Sequence, residues 1–279
     1  MTEEPIKLYR AKEIITMDPT APRATAIAVQ GDRIVGIGDS DDVDQWGVEQ
    51  IDDSFDDCVL LPGFIEAHSL VMSGALWEFP YVGFYDRKDP QGKIWQGCRD
   101  IESVLEQLIQ YESRISDPDA TLIGWGLDPI FLQGERLEAR HLDQISTTRP
   151  IFVFHASGHL AAVSSEMMRR SGIDRHTPTP GVARNADGQP NGELQEPAAM
   201  SLALDGLLSI GTAIMSSEAK WNYAREARNC GVTTVADLGT TRLAMEGQLE
   251  AWREATDQMS YPARVVVAFG HHDSGGSPA

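Results

Sequence analysis

The chain contains no run of about 18 consecutive apolar residues, the length a membrane-crossing helix requires, so nothing in it reads as a membrane span. Basic residues are few. Its 279 residues hold 23 Lys and Arg against 42 Asp and Glu, a net charge of −19. Nucleic acid and anionic membranes are bound through clustered Lys and Arg, so both are excluded as partners. The acidity itself selects no substrate, because such charge usually forms a solvated surface. Cysteine is scarce too. Cys58, Cys98 and Cys230 are odd in number and lack CxxC spacing, and they read as reduced core thiols of a cytoplasmic protein. The opening Met1-Thr2-Glu3-Glu4 is acidic and has no apolar signal core. There is no Gly-rich phosphate loop, no Gly-x-Ser-x-Gly elbow and no His-Glu-x-x-His helix.

What the chain does have is 42% hydrophobic content, enough for a large core, and a grammar that changes along its length. Residues 6–9, 26–29 and 33–37 read as short strands, with Gly31-Asp32 as a hairpin turn between the last two. An acidic connection covers residues 39–57. From residue 59 onward, strands alternate with helices, which favours a parallel sheet or barrel. The expected strands are 59–65, 121–126, 150–154, 192–196, 232–236 and 264–269. The helices between them carry legible caps. Asp100 precedes Ile101, Val104, Leu105 and Leu108 on one face, Ser164 opens a short helix that Gly172 ends, and a helix over 217–230 is closed by Gly231. A last helix is expected over 243–259. Two long insertions interrupt the pattern. Residues 69–99 carry Trp77, Phe79, Tyr81, Phe84, Tyr85 and Trp95, forming either a pocket wall or a satellite core under a loop. Residues 173–197 hold Ala186-Asp187-Gly188, a hairpin tip.

The densest chemical signal is Pro62-Gly63-Phe64-Ile65-Glu66-Ala67-His68-Ser69-Leu70. Strand side chains alternate faces, so positions 68 and 70 point the same way, and two histidines there would converge on one cation. Position 70 is leucine, which donates no lone pair. Imidazole is a common zinc ligand, which makes His68 a candidate metal-binding residue.

This segment resembles the metal-binding strand of the amidohydrolase superfamily, which usually continues His-x-His. Ser157-Gly158-His159 with Ser164-Ser165, then Gly192-Glu193-Leu194-Gln195-Glu196, then Gly231-Val232-Thr233-Thr234-Val235-Ala236-Asp237 resemble the branch that includes the N-substituted formamide deformylase-like enzymes. The similarity runs over nearly the whole chain but covers about the first half of a usual member. It implies an α/β fold: an incomplete TIM-type (β/α) barrel over residues 59–279, preceded by a small β-sandwich-like domain over residues 1–58. The expected strands number fewer than the eight of a closed barrel. The resemblance also implies a metal-dependent hydrolase of non-peptide carbon–nitrogen bonds, in which zinc or another divalent ion activates water. Its metal ligands would include His68 and Glu196, and its substrate, a small amide, would lie against His159 and Trp125. His155, Asp128, Asp237 and the adjacent His271 and His272 are further polar residues near strand ends. Against catalysis stand Leu70 and the missing downstream strands, which leave a second reading open. In that reading the chain is a truncated or degenerate non-catalytic homologue, or half of a split enzyme whose partner chain or second copy completes the barrel.

Overall fold

The computed structural model describes residues 4–39, 43, 45–132, 134–238 and 248–268. The chain divides into two compact units, Met1–Phe64 and Ile65–Ala279. The first is built on β1 (Lys7–Ile15), β2 (Arg23–Gln30), β3 (Arg33–Gly38) and β4 (Gln50–Leu60), in the spatial order β3-β2-β1-β4. β1–β2 and β2–β3 are antiparallel, and β4 runs parallel to β1. Gly31, at φ +60°, makes the tight β2–β3 turn that its sequence announces. Leu8, Ala26 and Ala28 form part of the unit's core.

The expected strand at 59–65 is split. Residues 59 and 60 end β4, Leu61-Pro62-Gly63 breaks the ladder, and β5 (Phe64–Ser69) starts afresh. Proline lacks the N–H that a continuous ladder requires. Two short strands follow, β6 (Arg87–Lys88) and β7 (Ile94–Trp95), and then α1 (Ile101–Glu112). Asp100 caps α1 through the backbone N–H of Ser103. The rest of the second unit comprises β8 (Leu122–Leu127), α2 (Ala139–Leu142), β9 (Ile151–His155), β10 (Leu160–Val163), α3 (Ser165–Arg170), β11 (Val182–Arg184), β12 (Pro190–Gln195), α4 (Glu196–Met200), α5 (Leu204–Ile214), α6 (Ser217–Asn229), β13 (Val232–Asp237), α7 (Gln248–Thr256) and β14 (Arg264–Val267).

The result is a mixed α/β fold. β8 and β9 are parallel, as are β13 and β14. The strand expected at 192–196 is different: β12 is antiparallel to β10, which is itself antiparallel to β9. The order β11-β12-β10-β9-β8 therefore sets two antiparallel hairpins, β9–β10 and β11–β12, side by side, with β8 parallel to β9 at the edge. The turn at 155–158 sends the chain straight back instead of through a helix. A second sheet has the order β14-β13-β5.

The five-stranded sheet is buried on both faces, which is why residues 151–154 read as an unbroken apolar run. Phe152, Ile123, Ala161 and Leu194 pack on one side with Met167 and Ile210. Ile151, Val153, Leu122 and Ala162 pack on the other with Leu105 and Leu108 of α1. The stretch Val71–Glu78 forms 3-10 helix and lies against α6. Its Gly74 sits so close that a Cβ would come within 2.0 Å of the Ala219 carbonyl oxygen and 2.6 Å of the Tyr223 nitrogen. Backbone atoms cannot yield as a flexible side chain does. Gly74→Ala is expected to destabilise the protein by about 2–3 kcal/mol, read from urea unfolding.

Of the three cysteines read as core thiols, only Cys98 is buried; Cys58 and Cys230 are exposed. β4 leaves most of its side chains exposed, and Cys230 lies just past the end of α6. Among the described residues, no helix is long and apolar enough to cross a membrane.

Candidate functional site

A cavity of about 720 Å³ opens in the second unit where the parallel strands β8 and β9 end. C-terminal ends of parallel strands are where α/β folds place their ligands. Trp125, Gly126 and Asp128 reach it from the end of β8. His155 reaches it from the end of β9, and the loop Ala156–His159 follows. Leu70 and Met72 come from the segment after β5, and Leu207, Ile210 and Ile214 from one face of α5.

The aromatic insertion supplies a wall, with Tyr81, Phe84, Tyr85 and Arg87 all lining the cavity. Trp77, Tyr81 and Trp125 meet edge-on or tilted, with ring centroids 4.9–6.1 Å apart. The Arg87 guanidinium lies over all three rings at 5.2–5.8 Å. It pairs with Glu226 of α6, whose other oxygen accepts the Trp77 indole N–H at 2.9 Å. Phe84 stacks on Phe131 at 4.6 Å. Trp125 donates its own N–H to the Phe79 carbonyl, so it offers the cavity a ring and no free donor.

His159 and Glu196 are brought together. Nδ1 of His159 lies 2.9 Å from Oε2 of Glu196. A carboxylate only accepts, so Nδ1 donates the hydrogen of this bond. Local geometry sets this pair. Gly158, at φ +74°, closes a turn by donating to the His155 carbonyl, and Ser157 Oγ accepts from the His159 N–H. The N–H of Glu196 donates to the His159 carbonyl at 2.7 Å. Glu196 does not end β12 as its motif suggests. It starts α4 in the left-handed region, at φ +66°, a conformation that costs a non-glycine residue about 1–3 kcal/mol and that clusters at functional positions.

His155 belongs to no motif, yet its surroundings are the least ordinary. It is 3% exposed, and neither ring nitrogen has a hydrogen-bond partner. An unsatisfied buried polar group costs about 1–3 kcal/mol. Burial pushes its pKa down to about 4, while Glu193 and Asp128 pull it upward and Arg136 pushes it down. At neutral pH the ring is uncharged. The available signal was its position, at the end of a buried apolar strand that points to the cavity. Arg87 and the α5 face carried no such mark.

Zinc, implied by the resemblance, does not fit the donors present. His68 is exposed, its ring makes no hydrogen bond among the described residues, and it is not among the cavity's lining residues. Ser69 is buried, with Oγ donating to the Ala236 carbonyl, whereas His68 is exposed and Leu70 lies past the end of β5. It is Leu70 that lines the cavity. The Glu196 carboxylate is engaged by His159. Among the described residues, no group of three or more His, Cys, Asp or Glu could hold a metal ion, and catalytic zinc takes three protein ligands. Asp237 is fully buried at the end of β13, and His271 and His272 lie outside the described residues.

Comparison with known proteins agrees with this architecture. The chain is 25% identical over 254 residues to Protein LONG AFTER FAR-RED 3 of Arabidopsis thaliana, covering 89% of this chain and 40% of that protein. It is 27% identical over 271 residues to the N-substituted formamide deformylase of Arthrobacter pascens, covering 92% and 46% respectively. It thus spans less than half the length of these curated relatives. Among solved structures, it superposes on an uncharacterized metal-dependent hydrolase from Pyrococcus horikoshii OT3 with a TM-score of 0.55 and 16% identity, over 95% of this chain and 48% of the other. That likeness is one of fold. Residues 56–276, nearly the whole second unit, match the profile of the Amidohydrolase family, and on that match the chain belongs to this family.

Proposed function

We propose that this chain supplies the substrate-binding part of a hydrolase acting on the carbon–nitrogen bond of a small amide that bears an aromatic or aliphatic group. The observation that carries this reading is the aromatic-walled cavity at the ends of β8 and β9, with the His159–Glu196 pair at the loop beyond them. Its volume is within the usual range for small-molecule sites. In this reading Trp125 packs against the apolar group. His159, held by Glu196, presents Nε2 to the amide. Residues 69–99 wall the pocket. Residues 59–279 constitute an incomplete (β/α) barrel and residues 1–58 a β-sandwich-like domain. His68 and Glu196 contribute to a zinc or other divalent site only together with donors from outside the described residues, such as a second chain that completes the barrel. A cytoplasmic location belongs to the same reading, supported by three free cysteines.

A second reading is favoured by one residue. Leu70 lines the cavity where a second histidine would otherwise reach it, and that suits a homologue that binds small molecules without hydrolysing them. The relative's name suggests aromatic N-substituted formamides as probes. The purified chain is expected to bind one with a change in tryptophan fluorescence, to retain less than a full equivalent of zinc, and to leave the amide intact. His159→Ala and Trp125→Ala should each weaken binding about tenfold. Turnover by the metal-loaded chain alone would defeat both the half-enzyme and the non-catalytic readings. A chain that binds none of these amides would defeat the pocket assignment itself.

A further inference from the structure

We propose that His155 is the ligand-recognition residue of the cavity, and that the ligand is an uncharged secondary amide whose remainder is aromatic or aliphatic. This deepens the reading of the cavity as a small-molecule site and rests on it. Among the described residues, the buried side-chain nitrogens and oxygens that lack a hydrogen-bond partner are the two ring nitrogens of His155. His155 also lines the cavity. Buried polar groups are normally satisfied, so an unpartnered imidazole on a residue that lines the cavity marks the place where a ligand's polar group belongs, reached when the enclosed ring turns toward the cavity.

The chemistry of the ring defines that group. A neutral imidazole has one N–H donor and one nitrogen acceptor. A secondary amide has the matching carbonyl and N–H, and either edge can meet the ring. Burial keeps the imidazole uncharged at neutral pH. The cation at the cavity is already paired. Arg87 pairs with Glu226, and the Asp128 carboxylate, which accepts from the Ile130 N–H, repels an anion. An anionic ligand would lose its hydration without gaining a free cation, which disfavours it strongly. The apolar remainder has Phe84, Phe154, Leu207, Ile210 and Ile214 to pack against.

The test uses the full chain and three probes: N-benzylacetamide, butylbenzene as its hydrocarbon analogue, and 4-acetamidobenzoate as a charged amide. Affinities come from tryptophan fluorescence or calorimetry. Replacing the imidazole in His155→Phe is expected to shift the amide-to-hydrocarbon affinity ratio about tenfold toward the hydrocarbon, and His155→Gln to recover part of it. In the wild-type protein, the ring nitrogen NMR signals of His155 should move with N-benzylacetamide and stay in place with butylbenzene. This second measurement requires no variant to fold. An unchanged ratio in His155→Phe, or ring signals indifferent to the amide, would overturn the role of His155 and leave the cavity reading standing. Binding of 4-acetamidobenzoate as tight as that of N-benzylacetamide would overturn the uncharged ligand class. If the wild-type chain binds neither neutral probe, both this inference and the cavity reading fall.

Discussion

As pH falls from 7 toward 4, the protein is expected to lose about 3 kcal/mol of stability that a His155→Phe variant keeps. The imidazole's usual pKa of 6.5 is lowered to about 4 in the folded chain, mainly by burial. Above 6.5 the ring is neutral whether the chain is folded or not, and it contributes no pH dependence. Between 6.5 and about 4 the unfolded chain binds a proton that the folded chain refuses. Stability therefore declines across that window and levels off, as far as this group is concerned, below about 4. Two and a half units at 1.36 kcal/mol each set the size. The measurement is urea unfolding of both proteins at a series of pH values. Carboxylates titrate in both and cancel in the difference. Parallel stability curves from pH 7 to 4 would show that the ring is hydrated or partnered in solution.

Phe152→Ala is expected to cost about 3–5 kcal/mol, a large share of the roughly 5–15 kcal/mol by which a domain is stable. Phe152 is fully buried in the middle of β9 and stacks on Phe154 with centroids 6.4 Å apart. It also seats α5. A Cβ on Gly206 would lie 2.6 Å from its ring, so the helix approaches the ring as closely as glycine allows. Truncation leaves a cavity that the two-sided sheet cannot collapse to fill. The same strand ends in His155, and α5 carries Leu207, Ile210 and Ile214 into the cavity. Amide binding should fall together with the unfolding midpoint in urea. A loss below about 1 kcal/mol would mean that α5 can close on the smaller side chain.

Much of the local structure is legible in the sequence. Asp100, Ser164 and Gly231 sit where their helices start or stop, because capping is a contact over two or three residues. α5 was not read as a helix. It has no side-chain cap at Ala203 and two interior glycines, so no local start signal marks it, and its Gly206 packs closely on Phe152. β10 was missed for a related reason. Ser157-Gly158-His159 stood out as a motif, and its role as a tight turn between antiparallel strands depends on a pairing that short apolar runs do not announce.

By itself the sequence determined the family, the acidic surface, the helix caps, the hairpin tips and the leucine that stands where a second metal ligand would be. Each of these is written in side-chain identity or in neighbours a few residues apart. Tertiary structure alone decided that His159 meets Glu196 across 37 positions, that Trp77 donates to Glu226 across 149, and that His155 loses its water without gaining a partner. Desolvation and long-range contact are set by which distant elements cover a group, and no local pattern encodes that.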